Sequence, residues 1–173
     1  MKRLVFSSLL CALLLAGCGG DNDSSSADSW ANGVCGDLST WKDSVKSTAA
    51  AFSGGQLSQA QVQDAADEIS NATEQLVGDL KDVGTPDTES GQQAKDAVDQ
   101  LSNELQTDLA QVQRAAAGAS GAADTAQAVA TIRMAATTMQ AQLTTAFQSM
   151  QQADDELKSA FEDSENCQKL KSS

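Results

Sequence analysis

The chain has no histidine and no tyrosine, and it has one proline. Without histidine, the commonest general base and the commonest metal ligand are both missing. Ser-His-Asp and Cys-His catalysis cannot be assembled, nor can the Glu-x-x-His metal sites of helical bundles. Aromatic residues are scarce, at two Trp and four Phe. Basic residues are few as well: 11 Lys and Arg stand against 24 Asp and Glu, for a formal net charge of −13. That balance excludes nucleic acid, which is held by cations that neutralise phosphates. It also opposes a protein that lies flat on anionic lipid. These absences point to no enzyme, no cofactor and no metal. The length of 173 residues suits one folded domain.

What is present begins at the N-terminus. Lys2 and Arg3 precede an apolar run from Leu4 to Ala16. That run is about 13 residues, too short to cross the hydrocarbon core as a helix. It closes on Leu15-Ala16-Gly17-Cys18, which resembles the lipobox of a bacterial lipoprotein. The resemblance implies that residues 1–17 are a signal peptide. It implies further that the Cys18 thiol takes a diacylglycerol (palmitate is a typical acyl group) and becomes the new N-terminus. The expected location is the cell membrane, lipid-anchored and facing the extracytoplasmic side. Two or three acyl chains anchor stably, each buried methylene contributing about 0.8 kcal/mol. Cys11 leaves with the signal peptide. Lys2 and Arg3 leave too, while every acidic residue lies after Cys18, so the mature chain is more acidic still.

Residues 18–34 read as the acylated cysteine and a flexible Ser/Gly/Asp tether, too polar to offset the entropy of ordering. Asp21-Asn22-Asp23 resembles the start of a calcium loop, but the Gly and closing Glu are missing, and a solvated spacer is the simpler reading.

The domain is expected over 35–173, and it reads as helix after helix. Leu38, Trp41, Val45, Ala49 and Phe52 share the first apolar face, and Ser53-Gly54-Gly55 stops it. Ser58 with Gln61 forms a capping box, flanked by Leu57 and Val62 as a hydrophobic staple. The second stripe is Val62, Ala65, Ile69, Ala72, Leu76, Leu80 and Val83, closed by Gly84. Thr85-Pro86 is expected to restart a helix with Pro in its first turn. The third stripe is Ala94, Val98, Leu101, Leu105, Leu109, Val112 and Ala116, broken by Gly118-Ala119-Ser120-Gly121. Asp124 with Gln127 is expected to cap the fourth helix. Its stripe runs through Val129, Ile132, Ala136, Met139, Leu143, Ala146, Met150, Ala153 and Leu157 to Phe161. Spacings of three and four alternate there, the signature of a left-handed coiled-coil seam. Four such stripes with short loops predict an all-α, antiparallel up-down-up-down four-helix bundle. No segment reads as a strand.

Cys35 and Cys167 are the two thiols left once Cys18 is acylated. In an oxidising compartment they are expected to pair. The alternatives are two free thiols or an intermolecular bridge. Pairing raises a problem of length. At 1.5 Å per residue, a first helix over 37–52 is about 24 Å long, while an unbroken 125–167 is about 63 Å. Straight helices in register would hold the cysteines about 30 Å apart. Either helix four breaks near Gln151–Asp155, or the first helix docks lower with Ser53–Leu57 stretched. Asp154-Asp155-Glu156 is a good new helix start, which favours the break.

Trp41 falls on the apolar face and reads as core. Trp30 stands in a polar context, before the first expected helix; it either packs on the end of the bundle or is a candidate partner contact, and the sequence does not choose. Asp154, Asp155, Glu156, Glu162, Asp163 and Glu165 make the last part acidic, and a solvated face is the default. Asn71-Ala72-Thr73 matches a glycosylation sequon, and the serines at 24–26 could carry sugar; a bacterial helix and a tether give neither much support. The Gln-rich positions 59, 61, 63, 92 and 93 read as solvent-facing. The pattern of Cys35 with Leu38 and Trp41, then Ala160-Phe161 and Cys167, resembles a diffuse group of small helical secreted or lipid-anchored proteins of actinobacteria. That resemblance implies a fold and a place, not a reaction. The function expected is a lipid-anchored envelope module with a protein partner, acting by binding or structure. The alternative is a carrier of a small apolar ligand between the helices, against which the alanine-rich seams argue. A cavity of several hundred Å³ would favour it.

Overall fold

A computed structural model describes residues 24–51 and 57–172. The expected signal peptide, Cys18, most of the expected tether, Phe52 and the expected Ser53-Gly54-Gly55 stop lie outside the described residues. Among those described the protein is all-helical. Four long helices come first: α1 (Ala27–Ala51), α2 (Gln59–Asp82), α3 (Gly91–Ala117) and α4 (Ala122–Gln151). Two short ones follow, α5 (Asp155–Asp163) and α6 (Glu165–Ser172). Strand pairing is limited to Ser24–Ser25 (β1) running parallel to Thr85–Pro86 (β2).

α1 starts earlier than expected. The expected tether to residue 34 is helical from Ala27. Ser26 sits before the first turn, where its Oγ accepts from the Ser29 amide at 3.4 Å and its carbonyl from the Trp30 amide at 2.9 Å. Asp28 in the first turn suits the helix dipole. The apolar face runs back through Val34, Ala31, Trp30 and Ala27, all buried. With about ten more residues, α1 becomes about as long as α2 and α3.

The second half of the length problem is resolved at Gln152–Asp154. α4 stops at Gln151, and the next helix starts at Asp155. Asp154 places the break. Its Oδ1 accepts from the Leu157 amide at 2.7 Å and caps α5, while its Oδ2 accepts from the Ser90 amide at 3.0 Å, just ahead of α3. A second break at Ser164 separates α5 from α6. The apolar stripe continues across the first break, with Met150, Leu157 and Phe161 all buried.

The Ser58–Gln61 capping box forms in full, and Gly84 adopts φ 73° just past α2. Two expected starts differ. Pro86 does not open α3. Its carbonyl accepts from Thr88 in a tight turn at 3.0 Å, and the helix waits until Gly91. Only glycine fits there, because a Cβ would collide with the Pro86 carbonyl oxygen. Asp124 does not cap α4 either; it accepts from the Ser120 hydroxyl at 2.8 Å, and Gly121 holds the cap position without a side-chain bond.

Consecutive long helices pack together, α3 with α4 most extensively. α1 packs on α2, α5 and α6 far more than on α4. Side-chain bonds tie α1 to the α2 hairpin at three levels: Trp30 to Gly84, Trp41 to Thr73 and Thr48 to Glu68. As one number rises the other falls, as an antiparallel pair requires. The seams hold much alanine, including buried Ala65, Ala66, Ala94, Ala116, Ala128, Ala135 and Ala136.

Because Asp154 serves two helices, its loss is expected to cost more than an ordinary cap. Asp154→Ala should destabilise the fold by about 2 kcal/mol in urea denaturation, and Asp154→Asn by much less. Burial pushes this carboxyl up, but its hydrogen bonds, led by that from Leu157, outweigh burial and hold it below the usual 3.8. Its contribution is therefore present above pH 3.8 and lost as pH falls through the lower folded value. Equal stability of the alanine and asparagine variants would show that the cap is idle.

Candidate ligand groove

The described thiols meet at one end of the molecule. Cys35 and Cys167 are bonded, with Sγ–Sγ 2.00 Å and Cα–Cα 4.9 Å across a separation of 132 residues. Polar links brace the same junction. The Ser164 hydroxyl donates to Asn32 Oδ1 at 3.1 Å, and Asn166 Nδ2 donates to the Asn32 carbonyl at 3.1 Å. The cysteines were paired on paper as the two thiols left over, but nothing marked Asn32, whose polar side chain carried no recognisable signal.

Trp30 is 1 % exposed, so it offers no surface to a partner. Asp28, Ser29 and Asn32 gave it a polar context, yet they lie on the opposite, exposed face of α1. The indole Nε1 donates to the Gly84 carbonyl at 3.1 Å, and the ring meets Phe161 edge-on at 5.9 Å. Phe161 in turn meets Phe147 edge-on at 5.1 Å. Trp41 is buried, and its Nε1 donates to Thr73 Oγ1 at 3.0 Å, which donates to the Ile69 carbonyl at 2.7 Å. The sequon threonine is thus part of the core.

Asp37 on α1 and Asp79 on α2 share a shallow cleft. Partial burial, and then the charge of Asp79, push the Asp37 carboxyl up from 3.8 to about 6. An acid with a raised folded pKa contributes stability fully below the unfolded value and loses it as pH rises through the folded value. Here the window is pH 3.8 to about 6. Asp37→Asn should therefore stabilise the protein at pH 7.5 by about 1 kcal/mol after allowance for solvent screening. The gain should vanish near pH 4, and a gain independent of pH in thermal melts would rule out the charge explanation. Among the described residues no group of three or more Cys, Asp or Glu could hold a metal ion. No described helix is long and apolar enough to cross a membrane.

A concavity with a volume of about 380 Å³ lies where α1, α4 and α6 meet. Leu38 and Leu143 form its floor, while Phe147 and Leu170 are half-buried in its walls. Gln140 and Thr144 complete the α4 side, and Lys42 and Lys171 the remainder. Both lysines are held in place. Lys42 Nζ donates to the Leu170 carbonyl at 3.0 Å, meeting an orphan carbonyl at the end of α6. Lys171 Nζ lies 5.5 Å from the centre of the Phe147 ring. The groove needs the break after Gln151, which lets α5 and α6 fold against α1 and brings Leu170 and Lys171 to α4. No sequence motif marks it. The one available signal was the charge gap on α4: from Thr125 to Ala153 there is no acidic residue, and Arg133 is the single charge. Comparison of the chain with protein-family models, with curated proteins and with solved structures finds no match.

Proposed function

We propose that this is a lipid-anchored cell-envelope protein that acts by binding or structural interaction and not by catalysis. Its four long helices run up-down-up-down, and the divided last segment folds back on the first helix. The paired Cys35 and Cys167 carry the reading, since a thiol pair that closes most of the domain suits an oxidising, extracytoplasmic compartment. The Leu15-Ala16-Gly17-Cys18 lipobox agrees with it. Cys18 would attach the protein to the membrane by its lipid, and the acidic body would stand away from anionic headgroups. A protein partner at the envelope is the expected target of the structural role.

Metabolic labelling with a palmitate analogue, followed by in-cell crosslinking, tests this. Label and membrane association lost in Cys18→Ala, together with a captured partner that also disappears, support the reading. An unlabelled, soluble wild-type protein would refute the anchor.

A second reading, a carrier of a small apolar ligand, is favoured by the groove between α1, α4 and α6. Its volume of about 380 Å³ falls within the range of small-molecule sites, despite the close alanine seams elsewhere.

A further inference from the structure

We propose that the groove binds a single-tailed anionic amphiphile, its tail on the leucine floor and its headgroup between Lys42 and Lys171. The proposal rests on the carrier reading and names its ligand class.

Charge carries the argument. The chain has 24 acidic and 11 basic residues, so most surface concavities should be lined by carboxylates. This lining has two ammonium groups and no carboxylate. Its α4 side belongs to the acid-free stretch from Thr125 to Ala153. Among the described residues no carboxylate is paired with Lys42 or Lys171, so neither groove lysine is neutralised by a side chain. Each is nonetheless positioned. Lys42 uses one of its three donors on the Leu170 carbonyl, leaving two for a ligand. Lys171 is steered by the Phe147 ring. Two cations lining one groove of a negative protein favour an anionic headgroup and disfavour a cationic one. A carboxylate and a phosphate monoester would serve equally, because lysine acts as a point charge with no fixed fork.

Size and polarity set the tail. The groove is at the lower end of ligand-site volumes, which suits one chain better than two. Leu38 and Leu143 are buried beneath it, so the tail would extend an existing core rather than open a new one.

The test is isothermal titration of the oxidised full chain with four probes that share a ten-carbon tail, all below micelle formation. They are decanoate, decyl phosphate, decanol and decyltrimethylammonium. At least one anion is expected to bind tenfold or more tighter than decanol, with no detectable binding of the cation. Lys42→Met and Lys171→Met should each narrow the gap between anion and alcohol by threefold or more. Thr144→Trp, at an exposed position on the groove wall, should abolish binding while leaving the melting temperature unchanged. Equal binding of anion and alcohol would overturn the anion proposal and leave the carrier reading standing. Binding of none of the four would overturn both.

Discussion

Replacing Cys35 and Cys167 together by alanine is expected to lower stability by about 3–5 kcal/mol, within the range for a disulfide that closes a long loop. The bond joins residues 132 apart, so it restricts nearly the whole unfolded domain. For a domain of this size the melting temperature should drop by about 10 °C. The effect has a local part as well. α6 contributes Cys167 as its one buried residue, and that sulfur, Asn166 and the Lys42–Leu170 bond tie it to α1. Without the bond α6 should fray, and the groove should lose its Leu170 and Lys171 wall. Limited trypsin digestion is the direct readout, with cleavage at Lys158 and Lys169 faster in the double variant than in the oxidised protein. Unchanged melting and unchanged cleavage would mean that packing alone holds the C-terminal helices. Double replacement is preferable to a single one, which leaves a thiol free to form dimers.

Phe161→Ala is expected to cost about 3–5 kcal/mol, the usual range for emptying a buried aromatic site. Three of the six aromatic residues, Trp30, Phe147 and Phe161, form one cluster with Phe161 in the middle. The side chain is 0 % exposed. It joins α5 to α1 on one side and to α4 on the other, so its removal affects three helices at once. The alanine-rich seams offer few large neighbours that could collapse into the space. Urea denaturation gives the size of the loss, and the near-ultraviolet circular dichroism of Trp30 should weaken in the native state. Phe161→Leu, which keeps most of the volume, should cost much less. A loss under 1 kcal/mol for the alanine variant would show that the cluster is not a centre of the core. Because Phe147 lies in both the cluster and the groove, ligand affinity should fall in the alanine variant even where the protein remains folded.

The helices were legible because their apolar positions recur at three and four residues. The third stripe, Ala94 to Ala116, is buried at every position. Caps were legible where the chemistry is local, as at Ser58–Gln61 and Gly84. They were misread where a distant partner competes. Pro86 looked like a helix start, but its carbonyl is taken by the Thr88 turn, while Asp154 supplies an acceptor at Ser90 from 64 residues away. The start of α1 was misread for a related reason. Ala27, Trp30, Ala31 and Val34 had the right spacing, but polar neighbours outnumbered them, and the burial of Trp30 depends on Gly84 and Phe161 arriving from elsewhere.

By itself the sequence determined that the described chain is helical, that the third stripe faces inward, and that histidine-dependent chemistry cannot be built, since these follow from local periodicity and composition. With Cys18 expected to be acylated it left Cys35 and Cys167 as partners, and the length mismatch left either a break near Gln151–Asp155 or a lower-docked first helix, of which Asp154-Asp155-Glu156 favoured the break. Tertiary structure alone decided that Trp30 is core, that Asp154 caps α5 while holding the entry to α3, and that two lysines share an apolar groove. Those outcomes depend on contacts between residues 54 to more than 100 positions apart, such as Trp30 with Gly84 and Lys42 with Leu170. A period of 3.6 residues encodes a face, but not the neighbour that will cover it.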